Sequence, residues 1–98
     1  MDTEKEKETR AFYERLKTEL DLSTTWPATY LYKFIVPTDN ESILQVEEAF
    51  NCMGAVIKTT KSKTGKFTSI SVDVMMKNSE EVIGKYIEVS TIKGIISL

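Results

Sequence analysis

Lys58, Lys61, Lys63 and Lys66 lie in a stretch with no acid between Ala55 and Ile70, the one local charge asymmetry in a chain of net charge −2. Ammonium groups so placed can hold phosphates as point charges, which would give weak, salt-sensitive nucleic-acid binding. Without arginine they lack a bidentate fork. The plainer reading is favoured: lysines on an exposed edge strand deter pairing with other chains. A second candidate is the loop Thr38, Asp39, Asn40, whose polar groups could meet a small metabolite. An Asp or Asn there also makes an ordinary helix cap, and that use is favoured. Glu47/Glu48 and Glu80/Glu81 are neighbours on expected helices, so they splay around the axis and do not converge as an acid/base pair.

The chain contains no histidine and one cysteine, Cys52. Ser-His-Asp and Cys-His nucleophiles, histidine-based zinc sites, four-thiolate zinc and Cys-x-x-Cys redox pairs are therefore impossible within one copy. We expect no catalytic residue, no metal ligand set and no cofactor, and a protein that is not an enzyme. A length of 98 residues, 41% apolar and 29% charged, allows one compact core. No apolar run approaches the about 20 residues that span a bilayer, and the acidic start lacks the features of a signal peptide. We expect no membrane association and a cytoplasmic location, which the lone cysteine fits.

Residues 1–25 read as an N-terminal helical extension with a linker, and 26–98 as the folded domain. Six acids and five bases fall between Asp2 and Glu19. Phe12, Leu16 and Leu20 recur at intervals of four with Tyr13 beside them, an amphipathic stripe, and Glu6 and Arg10 are spaced for an ion pair. Leu22 to Pro27 reads as the linker, with Trp26 pinning it to the core. A strand follows from Thr29 to Val36, with Tyr30, Tyr32, Phe34 and Val36 inward and Leu31, Lys33 and Ile35 outward. The spacing of Ile43, Val46, Phe50 and Met53 predicts a helix from Asn40 to about Met53, stopped at Gly54 and leaving Cys52 peripheral. A strand over 55–62 turns at Lys63 to Lys66 into a third, in which Ile70, Val72, Val74 and Met76 alternate with polar or outward residues. Asn78 starts a second helix with Val82, Ile83, Tyr86, Ile87, Val89 and Ile92 on its apolar face, ended by Gly94. Ile95 to Leu98 is the last strand. This βαββαβ order predicts an α+β sandwich: a four-stranded antiparallel sheet, first and third strands central, both helices on one face, plus the N-terminal amphipathic helix.

The chain resembles the YbeD-like family, a domain of unknown function. The resemblance lies in Trp26-Pro27 before Tyr30 to Pro37, in Met53-Gly54-Ala55-Val56-Ile57, in Lys63 to Val72 and in Gly94-Ile95-Ile96-Ser97-Leu98. Phe12 to Leu16 is similar to the leader of one branch. The resemblance implies a ferredoxin-like fold similar to ACT regulatory domains and no established activity. ACT domains are small-molecule sensors that commonly carry a glycine in the loop after the first strand; here that loop is Pro37-Thr38-Asp39-Asn40.

The expected function is thus a non-enzymatic regulatory or interaction module acting through a partner protein or a small ligand. The alternative is weak RNA binding through the lysine hairpin and Phe67. RNA-recognition domains of this topology stack bases on aromatics of the central strands, and parity leaves Phe67 alone on the outward face. Leu31, Ile35, Phe67 and Met75 form the expected interface, an apolar outer face that a second copy or the N-terminal helix would cover. A homodimer is the favoured form.

Overall fold

Two long alternating segments build the centre of the molecule. The structure, a computed structural model, describes residues 4–98; the leading residues, including the Asp2 that opens the expected charged leader, lie outside the described residues. β1 (Ala28–Pro37) and β3 (Phe67–Met76) pair antiparallel along their whole length, from Ala28 opposite Met76 to Pro37 opposite Phe67. β2 (Val56–Lys61) pairs with the far side of β3, and β4 (Ile96–Ser97) with β1, giving the order β2-β3-β1-β4 with β1 and β3 central as expected. β4 is shorter than the predicted 95–98, although the Leu98 amide still donates to the Lys33 carbonyl at 2.9 Å.

The inward parity assigned to β1 holds, because period-two alternation sends every second side chain to the same face. Tyr32, Phe34, Val36, Ile70, Val72 and Met76 are wholly buried, and they pack with Val46, Phe50, Val82, Tyr86 and Val89 from the helices. The Tyr32 and Phe34 rings stack at 5.6 Å. Two tyrosine hydroxyls enter this layer with partners: Tyr32 donates to the Val82 carbonyl at 2.9 Å, and Tyr30 shares a 2.8 Å bond with Tyr86. No buried side-chain polar atom among the described residues lacks a partner, so the polar groups in the core carry no unpaired desolvation penalty.

Helix α2 (Asn40–Ala49) stops four residues before the predicted Met53. Its last turn tightens, with Phe50 and Asn51 amides bonded to Glu47 and Glu48, and the Ala49 carbonyl accepts from the Lys85 ammonium of α3. That carbonyl is the one a continuing helix would have offered to the Met53 amide. Cys52 instead takes φ 63° and is exposed. Helix α3 (Ser79–Val89), capped by the Asn78 side chain on the Glu81 amide, also ends before the predicted Gly94. The Ser90 and Thr91 hydroxyls bond back to the Ile87 and Glu88 carbonyls, a competition that favours helix ends. Ile92 is buried from the turn that follows, whereas Ile87, expected inward, is half exposed.

α1 (Glu4–Ser23) runs two residues into the predicted linker, which therefore begins at Thr24 rather than Leu22. It packs along α3 in the helix layer. The packed stripe is Tyr13, Leu16 and Leu20. Phe12, expected within it, is 54% exposed and touches Tyr13 edge-on. Near the end of α1, Asp21 gathers the Lys17 ammonium at 3.4 Å and the Trp26 indole N–H at 3.3 Å. The buried Ser79 hydroxyl lowers the Asp21 carboxyl pKa most, ahead of Lys17 and Trp26. The Trp26–Pro27 peptide is cis.

Candidate interaction surface

With α1, α2 and α3 all on the inward side, the outward face of the sheet is covered by no described residue. Its geometry follows from the strand register. Leu31 and Val56 both flank Asp73, while Lys33 and Lys58 both flank Ser71. Thr29 pairs with Met75 at one end of the face and Pro37 with Phe67 at the other. On the β4 side, Ile35 pairs with Ile96.

This register divides the expected interface residues. Leu31 and Met75 are diagonal neighbours, 53% and 58% exposed, and Val56 joins them across Asp73. Ile35 sits two rows away beside Ile96. Phe67 lies eight residues along β3 from Met75, about 26 Å at strand rise, with Ser69, Ser71 and Asp73 between. The expected single patch is therefore two apolar clusters separated by a charged and hydroxylic band. Val56 escaped the sequence reading because its parity is set only by pairing with β3. Phe67 has Pro37, not a second ring, opposite it, so the described residues of β1 and β3 form no two-ring stacking platform there.

The four lysines do not share a surface. Lys58 points outward beside Ser71, and Lys61, opposite the buried Thr68, belongs to the helix side. Lys63 and Lys66 lie in the β2–β3 turn, where Gly65 takes φ 75° and the Lys66 carbonyl accepts the Thr38 amide at 2.9 Å. All four are exposed on or next to the edge strand β2, where ammonium groups discourage further strand addition.

At the predicted ligand loop, Thr38 bonds its hydroxyl to Thr68 at 2.8 Å. Asp39 is the cap of α2: one carboxylate oxygen accepts the Ser42 amide at 2.8 Å and the other its hydroxyl at 3.1 Å. Asn40 is exposed at the first helical position. Asp39 and Asn40, with Ser42, Gln45, Thr91 and Lys93, border an open groove of about 550 Å³, which Thr38 does not line. The Ser42 amide, and then its hydroxyl, hold the Asp39 carboxyl below the ordinary aspartate range, with smaller help from the Glu41 amide and the Lys93 charge. A lowered folded-state pKa contributes stability that is complete above the unfolded value, about pH 4, and is lost as pH falls through the folded one. Asp39→Ala should therefore melt below the wild type at pH 6. The gap should close on acidification, because the wild type loses the cap; thermal melts across pH 6 to 2 give the comparison.

Among the described residues, no cluster of three or more His, Cys, Asp or Glu could hold a metal ion. No helix there is long and apolar enough to cross a membrane. What the fold and surface define is a small α+β domain with one helix-covered and one bare sheet face. Residues 21–98 match the family described as "Protein of unknown function (DUF493)". The chain belongs to this family, the YbeD-like proteins, as its sequence resemblance implied. No curated protein and no solved structure matches it.

Proposed function

We propose that the chain is a non-catalytic, cytoplasmic regulatory module that acts by protein contact through its bare sheet face, first of all with a second copy of itself. The observation that carries this is the segregation of all three helices to one side, which leaves Leu31, Val56, Met75, Phe67 and Ile96 about half exposed on or beside the other. Exposed large apolar side chains gathered on one face favour association. The order β4-β1-β3-β2 with two crossover helices supports a ferredoxin-like, ACT-related architecture for residues 26–98, with residues 1–25 as an extension whose helix α1 docks on α3. In this reading a small metabolite is a secondary input, at the groove beside Asp39.

The strand residues span only about 450 Å² of projected face, and a charged and hydroxylic band divides its apolar part, so pairing should be weak. Sedimentation equilibrium should show a concentration-dependent monomer–dimer exchange for the wild type. The double substitution Leu31→Lys with Met75→Lys should abolish it without loss of helix content by circular dichroism. Equal association of the two proteins would sink the reading.

A further inference from the structure

Building on the self-pairing reading, we infer that two copies stack sheet on sheet about a two-fold axis crossing β3 between Ser71 and Asp73. Each Asp73 then lies over the partner's Ser71, between the partner's Lys33 and the partner's Lys58. The register puts two unlike rows side by side near the middle of the ten-residue β3: Lys33–Ser71–Lys58, and Leu31–Asp73–Val56. The three charged side chains are exposed, and none forms an ion pair among the described residues.

A two-fold axis in the plane of the face and perpendicular to the strands keeps every strand over its own copy while exchanging these two rows. The carboxylate of Asp73 then faces two ammonium groups, each about one strand spacing, 4.8 Å, to the side. The lysine stems lie across Leu31 and Val56 and cover them, as long charged side chains do on apolar surface. Stacked sheets about 10 Å apart leave room for one interdigitated layer of side chains. A two-fold axis parallel to the strands gives the opposite result. It sets Asp73 over the partner's Asp73 and Lys33 over the partner's Lys58, and like charges so juxtaposed penalise that arrangement. Placing the axis mid-strand also gives the greatest overlap of the two faces.

Charge reversal tests the geometry. Asp73→Lys alone should weaken self-association at least tenfold, and so should Lys33→Asp with Lys58→Asp, since each faces its own kind across the axis. An equimolar mixture of the two variants should regain wild-type association, because each Lys at 73 meets two aspartates and each Asp73 meets two lysines. Circular dichroism and melting temperature report that the folds are intact, which is expected for exposed positions. If Leu31→Lys with Met75→Lys dissociates the dimer but the charge variants associate normally, or the mixture does not recover, the stacking geometry is overturned and the self-pairing face stands. If the wild type stays monomeric at the highest concentration reached, both fall and the face belongs to a different protein.

Discussion

Phe34→Ala is expected to destabilise the protein by about 3–5 kcal/mol, the range for truncating a fully buried aromatic. Domains of this size are stable by about 5–15 kcal/mol in all, so the variant should be largely unfolded under mild denaturant. The ring has no exposed surface and sits against Tyr32, Phe50 and Tyr86 at centroid distances of 5.6, 6.2 and 6.2 Å. It bridges β1, α2 and α3, whose backbones are held apart by many other buried side chains and would not close over the cavity. Urea unfolding followed by far-ultraviolet circular dichroism measures the loss. Phe12→Ala, at an aromatic that is more than half exposed, should shift the same curve by about 0.5 kcal/mol or less. A similar shift in the two variants would mean that the core is not where the aromatic cluster places it.

Gly94→Ala should be the more damaging of two chemically identical changes. Gly94 has φ 74°, and a Cβ there would stand 2.7 Å from Cγ and 2.9 Å from Cδ of Pro37. The left-handed backbone alone costs about 1–2 kcal/mol for a non-glycine residue. Pro37 cannot yield freely, because its residue pairs with Phe67 at the end of β1, so the turn before β4 must move and its short pairing with Phe34 and Ile35 should weaken. Gly84 makes the contrast. A Cβ there meets nothing within 4 Å, and the residue lies inside α3 with ordinary helical backbone. Gly84→Ala should stabilise by about 0.5–1 kcal/mol. Melting temperatures that move in the same direction for the two variants would contradict this account of Gly94.

The central strands were legible because Ile70, Val72, Val74 and Met76 repeat at the one period that only a half-buried strand uses, and β1 carries the same signal. The helix ends were less so. The apolar stripe of α2 continues through Met53, and nothing near Ala49 in sequence announces that Lys85, 36 residues away, will take its carbonyl. Local apolar spacing likewise placed Ile87 inward, although packing against the sheet selected the stripe Val82, Ile83, Tyr86 and Val89. The outward members of β1 and β3 could be named by parity alone. Their grouping could not, because which residues flank Asp73 and Ser71 depends on the register of β2 against β3. For that reason Val56, Lys58 and Asp73 acquire a shared meaning only in the folded chain, while Phe67 and Met75 part company.

The protein's single tryptophan stands where the extension meets the domain, its indole bonded to Asp21 at the end of α1 and its ring packed against the core. The molecule thereby carries its own optical gauge. Emission from Trp26 should redden as α1 lifts from α3, before global unfolding, so a partner that displaces the leader can be followed by fluorescence without any attached dye.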